Sequence, residues 1–156
     1  TGLLGPGQLE TLDQLLAEGL PVPQPVAARY RRRGLTYSAE LVTARLPASA
    51  PLAQRLLAGR LGEQDWQAAG RTIRRFHDAG VQHADLNAHN VMLGEHGEVW
   101  LLDFDRGRRR PPGPWRRRVL ARLERSLAKT CRGRPDLDWP AGFALLVAAH
   151  DAGGAA

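Results

Sequence analysis

Leucines recur three and four residues apart near the start of the chain. Leu9, Leu12, Leu15 and Leu16 fall in the stretch 8–18, separated mostly by polar residues. That spacing places them on one face of a helix. Gly19 stops it, and Pro21 and Pro23 prevent its resumption. The pattern then changes. Val26–Tyr30 and Leu35–Leu46 read as two strands around an Arg-Gly turn at Gly34. Pro47 and Pro51 bracket a loop, and the chain beyond it is predicted to be mainly helical. Leu52–Ala58 is a short candidate helix. Gln64–Ala79 is a stronger one, with Trp66, Ile73 and Phe76 on one face and Arg71, Arg74 and Arg75 elsewhere. Gly80 suits its C-terminal cap. Residues 83–90 lose the periodicity and read as a loop. Val91–Leu93 and Glu98–Leu102 then predict a tight hairpin around Gly94 and Gly97. Pro111, Pro112 and Pro114 stiffen a linker into a helix over Trp115–Lys129. Asp138 can cap a last helix with Trp139, Phe143, Leu146 and Val147 as its apolar stripe. The Gly-Gly-Ala-Ala end is expected to fray.

Composition narrows the class. The 156 residues suit one compact domain, or one lobe with a fragment of another, and a 43% hydrophobic fraction supports a core. No apolar run approaches the ~20 residues needed to span a bilayer. The start at Thr1 rather than Met reads as a piece of a longer chain, without a signal peptide. The single Cys131 cannot form an internal disulfide and reads as a packing residue in a reducing, cytoplasmic setting. The net charge is +6, and Lys129 is the only lysine. Arginines cluster at Arg29 and 31–33, at Arg106 and 108–110, and at 116–118. A solvated surface and an anion-attracting surface explain such clusters about equally well. Tyr30 and Trp115 are the aromatics that directly adjoin them, which gives nucleic-acid binding little support.

The chemistry lies in His83-Ala-Asp-Leu-Asn-Ala-His-Asn90 and in Asp103-Phe-Asp105. Phosphoryl transfer requires an in-line hydroxyl, a group to orient or deprotonate it, and cations on the phosphates. An Asp followed five residues later by an Asn, on a loop entering a strand, fits those needs. A hairpin then returns a second Asp to the same end of the sheet. Asp85 would face the acceptor, and Asn90 and Asp103 would hold Mg²⁺, which favours oxygen ligands alongside water and phosphate. Each of these residues also favours turns, so a purely structural loop is the competing account. His83 reads as a brace of the loop, and Asp105 as a support of the same segment. His77 and His89 read as packing or surface residues. A metal-dependent hydrolase is disfavoured, because His83, Asp85 and His89 share one loop without a His-Glu-x-x-His helix.

These residues carry a resemblance. The run from His83 to Leu93, followed by Glu98-Val-Trp-Leu-Leu-Asp-Phe-Asp-Arg-Gly107, resembles the bacterial 3-deoxy-D-manno-octulosonic acid (Kdo) kinases of lipopolysaccharide biosynthesis. Gly19–Val26, Arg33–Leu41 and Arg122–Lys129 resemble other parts of that family, so the likeness runs from about Gly19 to about His150. It implies an α+β, protein-kinase-like fold. Residues 1–46 would be the remnant of a small N-lobe, one helix plus a strand pair, and 47–156 a mostly helical C-lobe. It implies transfer of the γ-phosphate of ATP, with Mg²⁺, to the 4-hydroxyl of Kdo on a lipid A precursor. Asp85 takes the position of the catalytic base, and Asn90 and Asp103 the metal positions. The implied location is the cytoplasmic face of the inner membrane, where arginines would meet an anionic surface.

The chain departs from the family pattern on the nucleotide side. Lys129 follows the catalytic loop, so the strand lysine expected over the phosphates is absent and nucleotide-binding residues are not assigned. Gly2–Gly7 reads as a turn into the first helix rather than a phosphate cradle, and Glu10 aligns only loosely with the lysine's partner. Truncation upstream of Thr1 is the simplest account, and this piece alone is expected to bind ATP weakly and turn over poorly. Aminoglycoside and choline phosphotransferases use a similar layout, though they tend to read His-Gly-Asp. A lipid-binding pseudokinase is the non-enzymatic alternative. The oligomeric state is not legible.

Overall fold

The computed structural model describes residues 7–104 and 107–153, with backbone alone over 7–11, 25–33 and 36–42. The element order is α1 (Gly7–Ala17), β1 (Pro25–Arg33), β2 (Thr36–Thr43), β3 (Ser49–Pro51), α2 (Leu52–Leu57), α3 (Glu63–Asp78), β4 (Val81–Gln82), β5 (Val91–Gly94), β6 (Val99–Leu101), β7 (Arg108–Arg109), α4 (Trp115–Thr130) and α5 (Trp139–Ala152). Thr1–Pro6, Asp105, Arg106 and the last three residues lie outside the described residues.

α1 ends as its sequence dictates. Gly19 adopts φ +76°, and the Leu20 N–H turns back to the Leu15 carbonyl at 2.9 Å. Leu12 and Leu15 are buried. β1 and β2 form an antiparallel pair with Arg33 opposite Thr36, and Gly34 at φ +63° takes the turn. The first strand runs further than predicted, through Arg33, and Leu35 belongs to the turn, where it is 95% exposed.

The stretch between Pro47 and Pro51 is not all loop. β3 pairs antiparallel with β5, Ser49 opposite Gly94 and Pro51 opposite Met92, in a sheet of order β3-β5-β6. β3 is an edge strand, where a residue without an N–H is tolerated. The hairpin β5–β6 sets Val91 opposite Leu101 and Leu93 opposite Val99, all four buried, with Gly97 at φ +85° in the turn. β4 and β7 pair over two residues each, too short for any hydrophobic period to show.

α3 is the central helix. Trp66, Ala69, Gly70, Ile73, Phe76 and His77 are buried along one stripe, and the Asp65 carboxylate accepts the Gly62 N–H at the entry. α5 crosses it closely. A Cβ on Gly70 would meet the Leu146 carbonyl oxygen at 2.1 Å, and one on Gly142 would meet the Trp66 ring at 2.1 Å. The fully buried stripe of α5 is accordingly Gly142, Leu146 and His150, and the predicted Trp139, Phe143 and Val147 lie half-buried beside it. The Asp138 side chain caps the helix by accepting the Ala141 N–H at 3.3 Å. α4 buries Trp115, Val119, Leu120, Leu123 and Leu127, with Cys131 at its end also buried and its thiol pKa pushed up by burial.

Candidate active site

The loop 83–90 is held by its own polar groups. His83 is 3% exposed, with Phe104 against its ring and Phe104 in turn stacked on Phe76 of α3. The His83 Nδ1 accepts the Asp85 N–H at 3.1 Å, so the ring proton sits on Nε2, which donates to the Leu102 carbonyl at 2.6 Å. Asn90 reaches back from the far end of the loop, its Nδ2 donating to the Asp85 carbonyl at 3.1 Å. Asn87 donates to the same carbonyl at 3.2 Å, and its Oδ1 accepts the His89 N–H at 2.8 Å. The loop therefore presents the Asp85 side chain, 57% exposed, on a fixed backbone.

The same network draws in the segment after β6. The Leu102 N–H donates to the Asn90 carbonyl at 2.9 Å, while its own carbonyl receives His83. Asp103 follows directly, beside the Asn90 backbone. Its φ is +63°, the one positive value at a non-glycine among the described residues. Asp and Asn tolerate this region better than other side chains, yet it still costs roughly 1–2 kcal/mol. With Nδ2 of Asn90 committed to the Asp85 carbonyl, Oδ1 is the acceptor it has left to offer. An amide oxygen and a carboxylate on neighbouring backbone segments form an oxygen donor set that suits a hard divalent cation with water and phosphate.

Two clefts flank this network. One, of about 640 Å³, is lined by Asp85, Asn87 and His89 from the loop and by Arg122, Arg125, Ser126 and Lys129 from α4. α4 is fastened to the loop twice. The Ala88 N–H donates to the Ser126 Oγ at 2.9 Å, and Arg122 Nε donates to Asp85 Oδ1 at 2.6 Å. The other cleft, of about 530 Å³, lies between the connection after β2 and the hairpin, with Pro23, Leu46, Met92 and Leu102 among its walls. Sequence reading found neither wall. Arg122 stands 37 residues from Asp85 with no local signal to link them, and the second cleft is built from aliphatic side chains and a linker.

Several arginines prove to be internal ties. Arg109 pairs with Glu18 and donates to the Ala79 carbonyl at 2.8 Å. Arg116 bridges to Asp78 and to the His77 carbonyl, and Arg117 pairs with Asp151. Arg55 spans to the Leu93 and Gly94 carbonyls. The Arg109–Glu18 and Arg117–Asp151 pairs are themselves exposed to solvent, so these ties lie on a solvated surface.

The sequence matches the family model of the lipopolysaccharide kinase (Kdo/WaaP) family over residues 7–141. A 3-deoxy-D-manno-octulosonic acid kinase of Xylella fastidiosa (strain 9a5c) is 46% identical over 132 residues, covering 84% of this chain and 52% of that protein. The enzyme of that name from Xanthomonas axonopodis pv. citri (strain 306) is 44% identical over 146 residues, covering 92% of this chain and 58% of that protein. The chain thus spans about half the length of the curated relatives it matches. Among solved structures, a crystal structure of WbdD aligns over 99% of this chain and 39% of its own with a TM-score of 0.59 at 19% identity. A structure of the bifunctional kinase-methyltransferase WbdD gives 0.53 at 20% identity, covering 99% and 38%. At that identity the likeness concerns fold, and the fold is α+β and protein-kinase-like.

Proposed function

This chain belongs to the lipopolysaccharide kinase (Kdo/WaaP) family, and from that premise we propose that the protein moves the γ-phosphate of ATP to the 4-hydroxyl of a Kdo residue on a lipid A precursor. The observation that carries the reading is the Asp85 carboxylate. It stands at the rim of a roomy cleft, on a loop bonded at one end to Asn90 and through His83 to the residue before Asp103. Asp85 orients the acceptor hydroxyl and receives its proton as the new O–P bond forms, while the bond from the γ-phosphorus to the leaving oxygen of ADP breaks. Asn90 and Asp103 would hold Mg²⁺, which would neutralise phosphate charge when bound. The cleft of Pro23, Leu46, Met92 and Leu102, whose walls also carry Thr43, Arg45 and Ser49, offers apolar contacts and polar partners for the nucleotide base. Residues 1–46 serve as part of the lobe that covers the nucleotide, and 47–156 as the acceptor side.

The test uses a protein extended to the length of the relatives. Phosphate transfer is expected to Kdo-lipid A precursor and not to an aminoglycoside or choline. Asp85→Asn should lower kcat by about 10²- to 10⁴-fold while ATP binding is kept. Preferential transfer to an aminoglycoside, or full activity in Asp85→Asn, would defeat the reading.

The protein works peripherally at the cytoplasmic face of the inner membrane in this reading. Arg108, Arg118 and Arg132 are exposed and have no carboxylate partner among the described residues. Each such cation contributes about 1 kcal/mol near an anionic leaflet. Sedimentation with anionic vesicles should fall steeply between ~0.1 M and ~1 M salt, as the Debye length shrinks from about 10 Å to about 3 Å. Salt-independent binding would rule out an electrostatic attachment.

A further inference from the structure

α4 turns two unlike faces to its surroundings. Val119, Leu120, Leu123 and Leu127 are buried on one. Arg122, Arg125 and Lys129 follow each other at helical spacing on the other, and all three line the cleft that holds Asp85. Asp85 is the only carboxylate among the described residues that line it. Arg125 and Lys129 have no ion-pair partner among the described residues. Cations near a helix C-terminus gain about 0.3–1 kcal/mol from its dipole, which accounts for Lys129. It does not account for Arg122, two turns earlier, nor for three cations converging on one cleft.

We propose that Arg122, Arg125 and Lys129 form a subsite for the carboxylate of the sugar that is phosphorylated, and that Arg122 makes the base Asp85 responsive to its arrival. The proposal rests on the function given above. Asp85 sets where the accepting hydroxyl must lie, and Arg122 is one hydrogen bond from Asp85. A group read by Arg122 therefore belongs to the same sugar ring as that hydroxyl, and the substrate named for the relatives is a sugar acid. A guanidinium suits a carboxylate because its donors form a planar fork. Without acceptor, Arg122 donates to Asp85 Oδ1, one of the two carboxylate oxygens that a hydroxyl can use. An acceptor carboxylate, held also by Arg125 and Lys129, draws the guanidinium onto itself and frees that oxygen. A neutral sugar leaves Asp85 occupied. Ser126, between the cationic positions, fixes the helix to the loop through the Ala88 N–H, so the subsite and the base keep register.

Initial-rate kinetics on the extended protein test this, using acceptor with the free sugar carboxylate and the same acceptor as its methyl ester. The wild type should prefer the acid by about 10-fold or more in kcat/KM, the size expected for one charge-assisted hydrogen bond. Arg125→Gln and Lys129→Gln should each raise the acceptor KM several-fold with the ATP KM unchanged. Arg122→Gln should bring the acid and ester close to equal, and Arg122→Lys should recover part of the preference. Equal use of acid and ester by the wild type overturns the subsite and leaves the function standing. Arg122→Gln that lowers both substrates alike but keeps the preference also overturns it, since Arg122 would then only position Asp85. No transfer to either acceptor defeats the function and the subsite with it. If Arg122→Gln does not fold by circular dichroism, the Arg125→Gln and Lys129→Gln KM values decide, and unchanged values overturn the proposal.

Discussion

Asp103 adopts a backbone conformation that glycine would take without strain. Replacing it separates two effects. Asp103→Ala removes the carboxylate and keeps the strain, whereas Asp103→Gly removes both. The Gly variant is therefore expected to be more stable than the Ala variant by about 1 kcal/mol, read from denaturant midpoints, with both losing phosphate transfer. An Ala variant as stable as the Gly variant would show that the segment relaxes and stores nothing. At this scale the sequence was informative about identity and silent about contact. Asp85, Asn90 and Asp103 could be named because an Asp, an Asn and a second Asp at those intervals are chemically specific. The Arg122 bond to Asp85 could not, since nothing local marks residues 37 positions apart as neighbours. Asp105, expected to support the loop, lies outside the described residues.

At the scale of elements, helices and hairpins were legible, and short strands without a near partner were not. The 3.6-residue period marked α1, α3, α4 and α5, and glycines at left-handed φ marked their ends at Gly19 and Gly80. β3, β4 and β7 hold three, two and two residues, and pairing with a distant partner rather than a period defines them. The centre of α5 was misjudged for a related reason. Trp139 and Phe143 are the larger apolar residues, but Gly142 lets Trp66 of α3 settle against the helix backbone. Gly70→Ala should therefore cost about 1–3 kcal/mol by overpacking, visible as a lower Tm, because the obstructing atom is the Leu146 main-chain oxygen. A neutral result would mean that the two helices separate without penalty.

The molecule as a whole is tied by buried polar groups as well as by its core. His77 Nδ1 and His150 Nε2 are 2.8 Å apart, and His150 Nδ1 lies 3.0 Å from the Asp151 carboxylate, itself paired with Arg117. Asp151 can only accept, so His150 donates from Nδ1 and accepts from His77 through Nε2. Burial, with the charges of His150, Arg116 and Arg74 adding to it, lowers the His77 pKa to about 3. Burial also lowers that of His150. In the unfolded chain His77 takes up a proton near pH 6.5, and in the folded protein it resists doing so. Its contribution is thus complete above that pH and is lost as pH falls from about 6.5 toward 3. The loss approaches about 1.4 kcal/mol per pH unit for this one group. Urea midpoints of the extended protein should drop between pH 7 and 5, and His77→Gln should flatten the slope. An unchanged slope in that variant would place the acid sensitivity elsewhere.

Leu102 joins these scales. Its side chain lines the slot assigned to the nucleotide base, while its N–H and carbonyl are both taken by the loop that presents Asp85. One residue thus lines the second cleft and bonds to the loop beside the first, which makes Leu102 a shared contact point of the two clefts. A change in side-chain size at this position is expected to alter the ATP KM and the transfer rate together, and a variant that moves one without the other would show that the two clefts act independently.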